Sequence, residues 1–345
     1  MKYLIPVILL GLSWVAVLLG GWWTTLIPAI TFGLVPLLEL VLPTPATPDQ
    51  SPRRYHDILL LMASLGQVGL TILLMAQVSS GALSGLSLFG AVATVGIAAG
   101  AFGINIAHEL GHRRTRLAQD GAKMLLLTTL YMHFFIEHNR GHHANVATPN
   151  DPASAPRGMG LYRFWWRSLT GSYRSAWAIE SRRLARKDQP WLTWDNEMVR
   201  FTVIQLVAVM AAGAVFGPLA LMCWLVSALI GVLLLETVNY IEHYGLERTQ
   251  DERGRYERVQ PLHSWNAEHP LGRALLFELT RHADHHAYPG RSYPALRHQP
   301  DSPQLPTGYP GMILVSLVPP LWFRVMDPHV DAEHSRLSRA HAEGR

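Results

Sequence analysis

The sequence has one cysteine, Cys223, and few charges: Asp, Glu, Lys and Arg make up 16% of its 345 residues, where a soluble domain carries about a quarter. A lone thiol excludes a disulfide scaffold. It also excludes a thiolate zinc site or an iron–sulfur cluster, which draw several thiolates from one chain. Any metal here is held by nitrogen or oxygen. Disorder is excluded too, because 49% of the residues are hydrophobic and disordered chains are poor in apolar side chains. Histidine is missing before His56 and abundant after it, 17 in all. Of the 29 Lys and Arg, 13 lie in 109–198 and 12 after 241. The net charge of +4 does not point to nucleic acid. The basic residues flank long apolar runs, where the positive-inside rule accounts for them.

A membrane-spanning helix needs about 20 mostly apolar residues. Runs over 3–20, 22–42, 58–78, 86–107, 201–217 and 219–241 meet that need. The first is not read as a cleaved signal: one basic residue precedes it, no small-x-small site follows, and a second apolar run begins at once. Pro43, Thr44, Pro45 and Pro48 end the first hairpin, Ser79-Ser80-Gly81 ends the third run, and Gly217-Pro218 turns the last pair, as proline and glycine do. The expectation is an all-α polytopic membrane protein of six transmembrane helices, one domain over 1–345. The basic segments 108–200 and 242–345 then share the cytoplasmic side with both termini. Shorter apolar runs at 124–136 and 312–323 read as interfacial or re-entrant. Residues 161–177 mix Trp and Tyr with Arg, the composition of a helix lying in the headgroup layer. The tail after Asp327 reads as polar and mobile.

Four histidine clusters carry the chemistry. They are His108-Glu109-Leu110-Gly111-His112, His138 with His142 and His143, His243, and His282 with His285 and His286. Histidines four apart on a helix share a face. The first cluster alone is also a zinc-protease signature, which needs only His108, Glu109, His112 and one more ligand. The four clusters supply nine histidines, too many for one metal ion and suited to two. Without metal, nine packed imidazoles leave buried nitrogens unpaired. Imidazole suits iron among other metals, and two iron ions with four or five imidazoles each fit the count. Glu109, Glu137, Glu242 and Asp284 lie beside these histidines and are expected to accept the ligands' remaining N–H groups, or one of them to bind metal directly.

With these residues in view, the sequence resembles the integral-membrane alkane 1-monooxygenases, within the membrane di-iron group that includes fatty-acid desaturases and xylene monooxygenase. The likeness rests on His108 to Arg113, Glu137 to His143, Val146 to Ala155, Asn239 to Leu246, Arg255 to Val259, His263 to Asn266 and Arg281 to Pro289. Asn150, Ala267, Glu268 and Tyr288 depart from the residues usual there. The resemblance implies a cytoplasmic-face di-iron centre in the bacterial inner membrane, with His108, His112, His138, His142, His143, His243, His282, His285 and His286 as ligands and catalytic residues. It implies terminal hydroxylation of medium-to-long-chain n-alkanes with O2, and electrons from a rubredoxin reduced by a rubredoxin reductase. A desaturase or aryl-methyl hydroxylase on the same scaffold is the alternative within the group. A metal transporter or storage protein is the non-enzymatic one. Thr31, Phe32 and Leu34, midway along the second span, are candidate substrate-lining residues. Glu39 in the same run and Asn105, one turn before the first cluster, are candidate polar groups of the site.

Overall fold

A computed structural model describes residues 2–44 and 53–343, with side chains described up to 339. Pro45 and Pro48 lie outside the described residues. The described chain is helical throughout, and its β structure is limited to two isolated bridges, Gln250 with Tyr256 and Asn266 with Gln304. Four helices are long and apolar enough to cross a bilayer: Gly21–Val41 (α2), Arg54–Ser79 (α3), Gly85–Gly111 (α4) and Glu197–His243 (α8). Leu4–Leu19 (α1) is apolar but has only 16 residues, which at about 1.5 Å each falls short of a 30 Å hydrocarbon core.

Helix α8 is 47 residues long and broken at Gly217, whose φ of 84° and ψ of 169° are not helical. Pro218 follows and brings no N–H to the ladder. A Cβ on Gly213 would sit 3.3 Å from the Leu221 side chain. Those residues are about 12 Å apart on a straight helix, so the arms 197–216 and 218–243 fold against each other, as the Gly217-Pro218 pair suggests. The second arm packs closely on α4: Gly231 lies so near Gly100 that an added Cβ would stand 3.1 Å from its amide nitrogen. Small residues at four-residue spacing, here Gly96 and Gly100, permit such backbone approach in a membrane.

The polar half is built from shorter pieces: Arg116–Leu127 (α5), a helix over 134–145 (α6), Leu161–Ala185 (α7), Pro270–Leu275 (α9), His282–Ala287 (α10), Tyr309–Ser316 (α11) and Pro319–Glu343 (α12). The run at 124–136 thus closes α5 and opens α6, and the run at 312–323 closes α11 and opens α12. Helix α7 buries Leu161, Phe164, Ser168, Ser172, Ala176, Glu180 and Leu184 and exposes Tyr162, Trp166 and Tyr173. The three-to-four spacing makes it amphipathic, and the Trp165 indole donates to Thr237 Oγ1 at 3.1 Å.

The expected mobile tail is instead the docked helix α12. Trp322, Met326 and Val330 recur every four residues and are fully buried. The Tyr244 hydroxyl donates to Asp327 Oδ1 at 2.7 Å and His334 reaches the Gly245 carbonyl at 2.9 Å. Gly245 has a φ of 71°, and a Cβ there would collide with Val330. A short apolar stripe in a polar stretch is enough to hold this helix down.

Candidate metal centre

Helix α4 ends in His108 and His112, and the wall opposite is α6 with His138, His142 and His143. The end of α8 supplies His243, and α10 supplies His282, His285 and His286. These nine rings converge in two groups. One holds His108, His112, His138, His143 and His285, and the other holds His142, His243, His282 and His286. Within each group one ligand atom per residue lies within 4.8 Å of all the others.

Four residues of separation keep His108 with His112, and His282 with His286, in the same group. It does not keep His138 with His142. A π-helical turn runs from His138 to His142, and its wider pitch brings His138 round to meet His143 instead. The two Nε2 atoms stand 3.0 Å apart, and His142 is released to the second group, 3.2 Å from His286 Nε2. A second π turn, Ala99–Ile104, precedes His108 on α4.

The nitrogen spacing answers whether metal fits. Nε2 faces Nε2 at 2.8 Å for His108 and His285, 3.1 Å for His112 and His138, 3.1 Å for His143 and His285, 2.9 Å for His282 and His286 and 3.1 Å for His243 and His282. Adjacent nitrogens sharing one ion at bonds of about 2.0–2.1 Å would be about 3 Å apart. A neutral imidazole has a single N–H to give, yet His138 Nε2 faces two other ring nitrogens, as does His285 Nε2. Cations answer this convergence of lone pairs better than hydrogen bonds do. Protonation states agree. Burial pushes His112 down to about 4. Burial, with neighbouring imidazoles, drives His138, His143, His282, His285 and His286 well below the usual range, which keeps the rings neutral as ligands must be.

The carboxylates divide. Asp151 accepts from His142 Nδ1 at 2.9 Å and from the Ser154 hydroxyl at 2.6 Å. Burial opposes charge on His142, but Asp151, with Glu137 and Glu236, outweighs it and the imidazole is raised above its usual range. Glu242 Oε2 lies 3.1 Å from His282 Nε2, and its other oxygen accepts from the Tyr309 hydroxyl at 2.8 Å. Glu137 is buried, and its Oε1 has no hydrogen-bond partner among the described residues. Glu109 does not accept from an imidazole as expected: it accepts from Arg113 at 3.2 Å and from the Tyr293 amide at 3.1 Å. Asp284 likewise turns to Arg291, the Arg297 amide and Gln299. It pins the loop after α10, because backbone and cationic donors are nearer than any ring edge. Sequence reasoning missed the role of Asp151. Its signal was an acid among small and apolar residues in 146–155.

An apolar cavity lies among the helices beside this centre, with Asn105, three residues before His108, and Tyr309, the donor to Glu242, in its walls. Ile27, Thr31, Phe32, Phe102, Asn105, Leu235, Leu276, Tyr309 and Ile313 are among its walls. Thr31 and Phe32 are in these walls, whereas Leu34 is 51% exposed and outside the lining. The π turn at Ile30–Leu34 rotates it away from its neighbours. Asn105 donates to the Leu276 carbonyl at 2.8 Å, one turn before His108.

A family model described as fatty acid desaturase matches residues 84–315, the stretch that holds every histidine of both groups. An alkane 1-monooxygenase of Pseudomonas aeruginosa is 40% identical over 328 residues, covering 91% of this chain and 85% of that protein. One from Pseudomonas putida is 39% identical, covering 88% of this chain and 77% of that protein. The hydroxylase component of a xylene/toluene monooxygenase from Pseudomonas putida is 29% identical, covering 94% and 86%. With two histidine groups spaced for metal beside an apolar cavity, and with this likeness along most of its length, the chain belongs to the fatty acid desaturase family and, within it, to the alkane 1-monooxygenases.

Proposed function

We propose that this enzyme hydroxylates the terminal carbon of medium-to-long-chain n-alkanes, giving 1-alkanols, with O2 and two electrons from a rubredoxin that a rubredoxin reductase recharges. The observation that carries the reading is the convergence of nine imidazoles in two groups beside an apolar cavity walled by Asn105 and Tyr309. The higher identity to alkane than to xylene monooxygenases favours alkanes over aryl methyls. One domain over 1–345 then crosses the bacterial inner membrane six times: α2, α3, α4, the two arms of α8, and α1, whose shortfall in length a locally thinner bilayer meets. Its centre faces the cytoplasm, where the basic segments lie.

In this reading the five-histidine and four-histidine groups each hold one iron. When bound, the iron pair supplies the O2-activating redox chemistry that no side chain provides. The chain supplies the rest. Burial keeps His112, His138, His143, His282, His285 and His286 neutral. Asp151 fixes the tautomer of His142 by taking its Nδ1 proton in a hydrogen bond, an arrangement that orients a ligand and raises its basicity. Tyr309 holds Glu242 against the metal-facing edge of His282. The cavity excludes water and holds an alkane by apolar contact alone, so depth of insertion selects the terminal carbon. Its walls are drawn largely from the apolar helices α2, α4 and α8, among which such a substrate dissolves. A cleft lined by Arg140, Arg182, Arg183, Arg186 and Lys187 adjoins the histidine-bearing α6 and suits the docking of an acidic electron carrier.

The test is product analysis with purified protein, rubredoxin, its reductase and NADH on dodecane, p-xylene and a fatty acyl lipid. The expected result is 1-dodecanol formed in step with oxygen uptake. A benzylic alcohol from p-xylene with no dodecanol would transfer the reading to aryl-methyl hydroxylation, and an unsaturated acyl product to desaturation.

A further inference from the structure

Glu39 lies near the end of α2, in the run Leu37-Leu38-Glu39-Leu40-Val41. Leu37, Leu40 and Val41 are 65–77% exposed, as lipid-facing side chains are, and Glu39 is 2% exposed. An acid turned inward from an apolar helix is costly in a membrane and demands a reason. Its Oε1 accepts the Gly272 amide at 2.6 Å. A Cβ on Gly272 would stand 3.1 Å from that oxygen, and the Glu39 carboxylate fills the space a Cβ on Gly308 would need. Two glycines from distant segments thus form the seat of one carboxylate.

Gly272 belongs to α9, which carries Leu275 into the cavity wall, and Gly308 precedes α11, which carries Tyr309 and Ile313. Thr31 and Phe32 come from Glu39's own helix. Three walls of the cavity therefore meet at this side chain. Tyr309 also donates to Glu242, which lies against His282. We propose that Glu39 is a positioning and specificity residue: it ties α9 and the start of α11 to α2, and so fixes the cavity wall that reads alkane length. The substrate part of this proposal rests on the alkane reading above.

Four variants test it in the full-length, membrane-reconstituted enzyme: Glu39→Gln, Glu39→Ala, Gly308→Ala and the Glu39→Ala/Gly308→Ala pair. Glu39→Ala should raise KM for dodecane about tenfold, the scale of one lost buried hydrogen bond. It should also shift the octane-to-hexadecane preference, with kcat changed far less and metal content unchanged. Glu39→Gln keeps a carbonyl oxygen for the Gly272 amide and should restore both KM and preference. Gly308→Ala should be harmful alone and nearly silent when residue 39 is already Ala, because the carboxylate it collides with is gone. An unchanged KM and length preference in Glu39→Ala, or Glu39→Gln as impaired as Glu39→Ala, overturns the proposal. The melting midpoints of the same four proteins need no substrate. Additive shifts overturn the seat itself, whereas non-additive shifts in a protein that makes no alkanol would uphold the tie and reject the alkane reading.

Discussion

The two histidine groups differ in burial and in company. All four rings of the second group are at most 4% exposed, whereas His112 and His143 of the first are only half-buried. An open cleft lined by Asp57, Glu109, Arg113 and Arg291 reaches His112. Asp151 and Glu242 both address rings of the second group, and no carboxylate is recorded within hydrogen-bond reach of a first-group ring among the described residues. In the deeper group Asp151 orients His142 from its outer nitrogen and Glu242 stands at the metal-facing nitrogen of His282, while the Nδ1 atoms of His282 and His286 have no hydrogen-bond partner among the described residues. The shallower one relies on number, five imidazoles against four. Carboxylates thus join the imidazoles where solvent is excluded, and the group nearer solvent offers imidazoles alone.

Removing one ligand from each group breaks the comparison most severely. His142→Ala and His285→Ala should each abolish hydroxylation while the protein still inserts in the membrane. Metal analysis should show each variant losing metal, with full activity in either removing that residue from the centre. Asp151→Asn should act on the deeper group alone and lower metal affinity or activity by about 10–100-fold, the usual cost of a lost ligand-orienting partner. An equal loss of metal from both groups, read by the spectroscopic signature of each iron, would contradict the assignment. Tyr309→Phe leaves Glu242 in place but removes its donor. A fall of about three- to tenfold in turnover is expected, in line with one hydrogen bond to a charged acceptor, and no change would detach Tyr309 from the centre. The smallest effect is kinetic: mild chelation should remove metal in two phases, the shallower group first. A single phase would erase the distinction drawn from His112 and His143.

Much of this centre was legible from spacing. Histidines at 108 and 112, and at 282 and 286, are four apart and end in the same group, as helical periodicity requires. The division of His138, His142 and His143 was not legible, because it depends on a π turn that no residue type announces. The outward turn of Leu34 was hidden for the same reason: a π turn over 30–34 changes which side chains face inward. Among the carboxylates, position in sequence misled. Glu109 and Asp284 adjoin ligands yet bond to Arg113, Arg291 and backbone amides, and Asp151, nine residues from His142, supports a ring. Contact across a loop is set by packing, which a linear reading does not contain. The apolar runs were plain in outline, since composition alone marks them. The hold on the last helix was not, because Trp322, Met326 and Val330 are diluted by polar neighbours.

The most direct test of the centre is elemental analysis of the purified full-length protein after expression in iron- and zinc-replete medium. Two irons per chain, one for each histidine group, is the predicted stoichiometry. One zinc per chain with no iron would contradict it.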